Sequence, residues 1–377
     1  MSYPARKLSC KPTFIRRIAT ISWISTAAVA MAVATPYPGT LSLSGISDLQ
    51  VFQRSTRSGG AFAKGAGTMP TTLSPSTPVA TLELRIRNHA TGTTLVNWTP
   101  VGGPLSAQSQ TLGLNIPAPA SALWYLLDLR PDGDDTKIVT SPRCGMGEVT
   151  AAFGQSLCMD MFGTIANDGS IVPTVTISQL GQPIAPCGSV FARYGQLATP
   201  TESGPATWAL PTSTRSATAP YGYNSSFAAR YLERMIAALD LPCALIGFGV
   251  GSSDIRAWLP ASSSNYSGNT AGISLYAEWS TLVTNAGGRF GTLIWCQGHR
   301  GAVNNQSQTQ YTSYLTELMT QVATTFPAME FSRLVSTIPA VKSTYTSPAA
   351  MNIIRKAGLV YVASDPQADL IDGLDVT

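Results

Sequence analysis

The sequence predicts a mixed fold, an antiparallel β-sandwich followed by an α/β region with a parallel sheet, and three observations carry that expectation. Short strands separated by turn residues fill residues 36–143; apolar strands alternate with amphipathic helices after residue 156; and the later strands end in glycine-bearing loops. The 377 residues suffice for about two domains at ~100–200 residues each.

The first 34 residues read as a targeting segment. Arg6, Lys7, Lys11, Arg16 and Arg17 precede an apolar run from Ile18 to Ala34, which closes on Ala32-Val33-Ala34 before Thr35-Pro36. Charged, then apolar, then small is the order of a secretory signal peptide, with an uncleaved N-terminal anchor as the alternative. A secreted or periplasmic protein is expected, held at a membrane only if the segment is uncleaved. Charged residues make up 12% of the chain, against about 25% in typical soluble domains. The net charge of +4 comes from 24 Lys+Arg against 20 Asp+Glu. No basic patch follows the leader, which argues against a nucleic-acid partner.

Residues 36–143 have the texture of a β-sandwich domain. Thr81 to Arg87 alternates apolar and polar with period two, a turn spans Asn88 to Gly92, and Thr94 to Trp98 is the next short strand. Leu123 to Arg130 is a further strand, stopped by the turn Pro131-Asp132-Gly133-Asp134. Such spacing fits a compact antiparallel sandwich. His89 falls in a turn and is read as a surface residue.

Next comes Gly147 to Cys158, a short apolar run that ends at Gly154-Gln155-Ser156. A strand from Glu148 to Phe153, a sharp turn and a helix after Ser156 would put the serine hydroxyl at a strand end above a helix N-terminus, where developing negative charge is favoured. Ser156 is the candidate nucleophile; the alternative is a plain turn between strand and helix.

Beyond the serine the chain repeats helix, strand and glycine loop. Ser225 to Leu239 carries Phe227, Tyr231, Met235, Ile236 and Leu239 at helical spacing, and Cys243 to Gly249 is an apolar strand running into Gly251-Ser252-Ser253. Ser274 to Asn285 is helical, Thr292 to Cys296 is a strand, Gln297 to Gly301 is its loop, and Thr309 to Phe326 is a helix with the stripe Tyr311, Tyr314, Leu315, Leu318, Met319, Val322. In open α/β sheets ligands bind at the carboxyl ends of strands, so the loops at Ser156, Gly251 and Gln297 are expected to converge. Gly247-Phe248-Gly249-Val250-Gly251 lacks the third glycine position of a dinucleotide turn, and no cysteine spacing suits a metal. No cofactor and no metal are expected. Cys158 and Cys187 are the pair to test for a disulfide; Cys243 and Cys296 are read as small core residues.

Three blocks in this order, Gly154-Gln155-Ser156, Gly251-Ser252-Ser253-Asp254-Ile255-Arg256-Ala257-Trp258 and Ile294-Trp295-Cys296-Gln297-Gly298, resemble the sialate O-acetylesterase-like branch of the SGNH (GDSL-type) hydrolases. That resemblance implies a three-layer α/β/α SGNH-hydrolase domain of flavodoxin-like type over residues 144–377. It also implies hydrolysis of an acyl, usually acetyl, ester on a carbohydrate. Ser156 would attack the acyl carbon; the N–H groups of Ser156 and Gly251 and the side chain of Gln297 would hold the oxyanion, with Gln155 and Ser252 beside the substrate.

The sequence departs from that family at the base. The late Asp-x-x-His stretch corresponds to Asp372-Gly373-Leu374-Asp375, so Asp372 can be the orienting acid while the histidine position holds Asp375. Three expectations compete: a histidine beyond Thr377, with the C-terminus incomplete; His299 acting as base from the neighbouring loop; or a non-catalytic, glycan-binding surface protein. Leu157 stands where the family has asparagine. Gly301 replaces a frequent acidic residue, which puts a polar network behind the third loop in question.

Overall fold

The computed structural model describes residues 36–55, 64–155, 158, 188–196, 226–268, 274–326, 332–336 and 347–371, with backbone alone at 188–196, 226–230, 332–334 and 336. The expected leader, Ser156, Cys187 and Asp372 lie outside these residues.

The first half is built from strands β1 (Leu41–Ser44), β2 (Gln50–Gln53), β3 (Ala66–Pro75), β4 (Leu82–Asn88), β5 (Thr94–Gly102), β6 (Gln110–Pro117), β7 (Tyr125–Pro131) and β8 (Val139–Thr140). β1, β3 and β6 form one antiparallel sheet, while β5, β4 and β7 pair antiparallel in another. Alternation decides the inward side of β4: Leu82, Leu84 and Ile86 are buried and the residues between them are not. They share a core with Met69, Leu73, Leu114 and Ile116 of the other sheet. The turn after β7 forms at Asp132 and Gly133, both with positive φ, where the Pro-Asp-Gly-Asp signal places it. His89 is exposed, as expected of a turn residue.

The second half comprises β9 (Cys144–Gly154), β10 (Gly188–Gln196), α1 (Ser226–Leu239), β11 (Cys243–Gly251), α2 (Leu275–Asn285), β12 (Thr292–Cys296), α3 (His299–Val303), α4 (Gln308–Thr325), β13 (Ser332–Ser336), α5 (Pro348–Ser364) and β14 (Ala368–Ile371). The parallel strands run β10-β11-β9-β12-β13-β14. With β10 set aside, the order from the first strand of this half is 2-1-3-4-5, a doubly wound arrangement. Ser274 caps α2, and Ser307 with Gln310 forms a capping box on α4.

Strands β9, β11 and β12 are buried along both faces, and their alternation sorts the side chains. Val149, Ala151, Phe153, Ala244, Ile246, Phe248, Leu293 and Trp295 enter one cluster with α2, α4 and α5. Ala152, Cys243, Leu245, Ile294 and Cys296 enter another with Leu232 and Ile236 of α1. Cys243 and Cys296 are thus small core residues on the α1 side.

β9 is longer than the Glu148–Phe153 strand expected from the sequence, because its first four residues have partners of their own. Cys144 to Gly147 pair with β2, Tyr125 of β7 meets Cys144, and from Glu148 onward the partners are β11 and β12. One strand therefore belongs to both halves, within a continuous 11-stranded sheet. At the changeover Glu148 is almost fully buried and accepts hydrogen bonds from Gln53 Nε2 at 3.0 Å and Arg54 Nε at 2.7 Å. Arg54 also reaches the Lys64 carbonyl at 2.7 Å.

Candidate active site

The register of the parallel strands sets the candidate loops side by side. Gly154, the last residue of β9, is paired with Gly249 on one side and Cys296 on the other. The loops beyond the three strands, at Gln155, at Gly251-Ser252-Ser253 and at Gln297-Gly298-His299, thus emerge at one edge. β14 is parallel to these strands, so its last residue, Ile371, lies at the same edge.

Hydrogen bonds tie the loops together. Gln155 is buried; its N–H donates to the Cys296 carbonyl at 3.0 Å, and its Oε1 accepts from the N–H groups of Gly298 at 3.4 Å and Arg300 at 3.1 Å. Gln297, also buried, donates from Nε2 to the Ser253 carbonyl at 3.2 Å and accepts at Oε1 from Tyr311 at 2.6 Å. One Nε2 hydrogen remains for a further acceptor. Burial, only partly offset by a hydrogen bond from Trp295, holds the Tyr311 phenol well above its ordinary value, so at neutral pH it stays a donor to Gln297. Gly251 is buried, Ser252 is exposed with φ 61°, and His299 is half-buried at the first turn of α3.

Beneath the loops lies an aromatic cluster. Phe153 stacks on Trp279 at 4.3 Å between ring centres and meets Trp295 at 4.8 Å and Trp258 at 5.5 Å. Two of these indoles reach upward: Trp258 Nε1 donates to Ser253 Oγ at 2.9 Å, and Trp295 Nε1 to the Tyr311 hydroxyl at 3.3 Å. Ser253 Oγ in turn donates to the Val250 carbonyl at 2.8 Å, so this hydroxyl is a strut of the second loop.

A polar network does stand behind the third loop, built from Asp254 and Arg256 of the second motif block together with Asn304 and Gln306, to which the sequence assigns no role. Asp254, buried, accepts from Arg256 N–H at 2.9 Å, Arg256 Nε at 3.0 Å, Gln306 Nε2 at 3.0 Å, and Asn304 Nδ2. Gly301 makes room for it: a Cβ there would lie 2.8 Å from Gln306 Oε1 and 3.1 Å from the Tyr311 ring. Burial pushes the Asp254 carboxyl up, but the hydrogen bonds from Arg256 and Asn304 and the Arg256 charge outweigh it and hold the group below the ordinary carboxylate range.

A group whose folded pKa lies below its unfolded value of about 3.9 stabilises fully above that value and loses the contribution as pH falls through the folded one. Thermal midpoints of the native chain and Asp254→Asn, taken from neutral pH downward, should keep a constant gap to about pH 5 and converge below about pH 4. A gap that widens in acid would contradict the network.

Two other expectations, the Cys158–Cys187 pair and the N-terminal leader, involve residues outside the described ones. Cys158 is buried, with Sγ 3.6 Å from the Phe248 carbonyl; its expected partner Cys187 lies outside the described residues. No described helix is long and apolar enough to cross a membrane.

This is an α/β protein with its candidate site at the carboxyl edge of a parallel sheet, and the comparisons agree with that class. Residues 193–376 match the family described as carbohydrate esterase, sialic acid-specific acetylesterase, which bears out the resemblance to the sialate O-acetylesterase-like SGNH hydrolases. The matched segment holds the loops at Gly251 and Gln297 and Asp372, and begins after Ser156. Among solved structures, the chain is similar in fold to a novel carbohydrate acetylesterase from Xanthomonas citri, at 17% identity and TM-score 0.53, over 88% of this chain and 67% of that one. Looser overlaps are with a protein from Arabidopsis thaliana (14% identity, TM-score 0.40, 60% of this chain and 84% of that one) and a family two carbohydrate esterase from Clostridium thermocellum in complex with cellohexaose (10%, 0.32, 81% and 82%). No curated protein matches the chain.

Proposed function

We propose that the protein is a serine ester hydrolase that removes acetyl groups from a carbohydrate, built as a three-layer α/β/α SGNH domain behind an N-terminal β-sandwich. The observation that carries the proposal is the register placing the loops after Gly154, Gly249 and Cys296 on adjacent strands, with Gln155 bonded to the third loop and Gln297 to the second. The family match over residues 193–376 supports the substrate class.

In this reading Ser156, next to Gln155, attacks the acetyl carbonyl. The oxyanion that develops is met by the N–H groups of Ser156 and Gly251 and by the remaining Nε2 hydrogen of Gln297. Tyr311 and Ser253 keep that amide from rotating. The hydroxyl proton passes to His299, which returns it to the departing sugar oxygen; water then releases acetate from the acyl-serine by the same route.

His299 is chosen for its place. Strand order runs β9-β12-β13-β14, so the His299 loop stands between the carboxyl ends of β9, which Ser156 follows in sequence, and of β14, which Asp372 follows. β14 is three strand spacings, roughly 14 Å, from β9, so an acid following β14 would need a group between them to act on. His89, by contrast, sits in a turn of the antiparallel half.

Acetate release from p-nitrophenyl acetate and from an acetylated glycan tests the scheme. Ser156→Ala should lower kcat by at least ~10³-fold, and His299→Ala by ~10²–10⁴-fold with KM little changed. Equal background rates for the native chain and Ser156→Ala would sink the esterase reading. A full rate in His299→Ala would remove that residue alone from the base role.

A further inference from the structure

The antiparallel half carries a cavity that the ester-cleaving scheme does not use. It is an open depression of about 610 Å³, within the range of small-ligand sites, lined by Pro36, Tyr37, Pro38, Glu83, Arg130 and Asp132 among others. Arg130 closes β7 and Glu83 opens β4 at the far end of β7 from its contact with β9. Along β7 and then β9 the strand path to Gly154 is roughly 50 Å at ~3.3 Å per residue, so the cavity is no extension of the candidate active site.

The polar groups of the cavity are fixed before any ligand arrives. Arg130 donates from Nε to Glu83 Oε2 at 2.7 Å and from Nη1 to Asp135 Oδ1 at 2.6 Å, and its guanidinium lies 4.2 Å from the centre of the Trp98 ring. Asp132 Oδ1 accepts from Thr81 N–H at 2.7 Å. Both carboxylates are therefore held by one oxygen, leaving Glu83 Oε1, Asp132 Oδ2 and Arg130 Nη2 to serve a ligand.

Charge then selects the ligand class. Two carboxylates against one guanidinium repel an anion, while the guanidinium set beside them opposes a metal ion; among the described residues no group of three metal-ligating side chains is placed to hold one. A neutral polyhydroxylated molecule meets neither objection. Its vicinal hydroxyls can donate to the carboxylates and accept from the guanidinium, and the exposed rings of Pro36 and Pro38 offer apolar walls for its C–H faces.

We infer that this cavity is a second, non-catalytic binding site for a neutral saccharide. The site stands on its own geometry and does not depend on the esterase reading. Isothermal titration of the full chain carrying Ser156→Ala with neutral hexasaccharides (xylo-, cello-, manno- and chito-) tests it, with oligogalacturonate as the anionic control. At least one neutral hexasaccharide should bind with a millimolar or tighter Kd, and the control should bind at least tenfold more weakly.

Ala80→Trp, an exposed rim position, fills the cavity without touching the ion pairs, and Glu83→Gln keeps the shape while weakening the acceptor. Each should lower the affinity at least tenfold, Ala80→Trp with an unchanged thermal midpoint and Glu83→Gln with the small drop that loss of its ion pair with Arg130 brings. Absence of binding by every neutral hexasaccharide, equal binding of the control, or affinity untouched by Ala80→Trp would overturn the site. Because the readout is binding, a failed esterase assay leaves it unaffected.

Discussion

Gly154→Ala is expected to destabilise the protein by at least ~3 kcal/mol and to abolish any esterase activity. Gly154 has φ 151°, a conformation that strains an L side chain by about 1–3 kcal/mol. Space compounds the strain, since a Cβ built there lies 2.0 Å from the Cys296 carbonyl oxygen and 2.6 Å from its carbon. Neither contact is with a flexible side chain, so β9 and β12 would have to part. The same carbonyl accepts the Gln155 N–H, so the movement would break the link that sets the serine loop against the Gln297 loop. Urea unfolding checks the first claim and acetate release the second. A loss under about 1 kcal/mol would mean that the strand ends are less tightly apposed than described.

The second large effect is at the changeover of β9. Glu148→Ala should lower stability by about 3–5 kcal/mol, because it leaves the Arg54 guanidinium buried without its carboxylate. Side-chain exposure is only 7% for Arg54 and 6% for Glu148, so water cannot step in. Glu148 also accepts from Gln53 Nε2, whose own Oε1 accepts the Val149 N–H at 2.7 Å, so one deletion loosens the grip of β2 on β9. The double variant Arg54→Met with Glu148→Leu should regain most of the loss, since removing both charges removes the desolvation penalty. A double variant as unstable as Glu148→Ala would show that packing at this point matters more than the uncompensated charge.

Much of the fold is legible in the chain because local signals agree with the tertiary outcome. α4 is marked by the stripe Tyr311, Tyr314, Leu315, Leu318, Met319 and Val322, all buried except the half-buried Tyr314, and β12 matches its expected span from Thr292 to Cys296. α5 is absent from the sequence expectations although Ser347 caps it, Pro348 opens it, and Met351, Ile354 and Tyr361 recur at helical spacing. β10, β13 and β14 are absent from them too; β14 offers four residues with no clean alternation, and its pairing with β13 decides its conformation.

At the candidate site, the glycines and Gln297 announce themselves, whereas Asp254, Asn304, Gln306 and Tyr311 do not. Apart from the local Asp254–Arg256 pair, their side-chain partners are 14 to 52 positions away, and no local period encodes a hydrogen bond of that span. Trp258 and Trp295 are visible as motif residues, but their task of propping Ser253 and Tyr311 emerges only from packing.

The single strand shared by both halves also governs how the molecule comes apart. If the antiparallel half melted first, β9 would lose β2 and β7 along its opening residues while still clasped between β11 and β12. The buried Arg54–Glu148 pair would then flood at the edge of the surviving sheet. The reverse order strands the opposite end of the same backbone. Either half-melted form is therefore costly, so a single calorimetric transition spanning both cores is expected, even though their side chains form separate clusters.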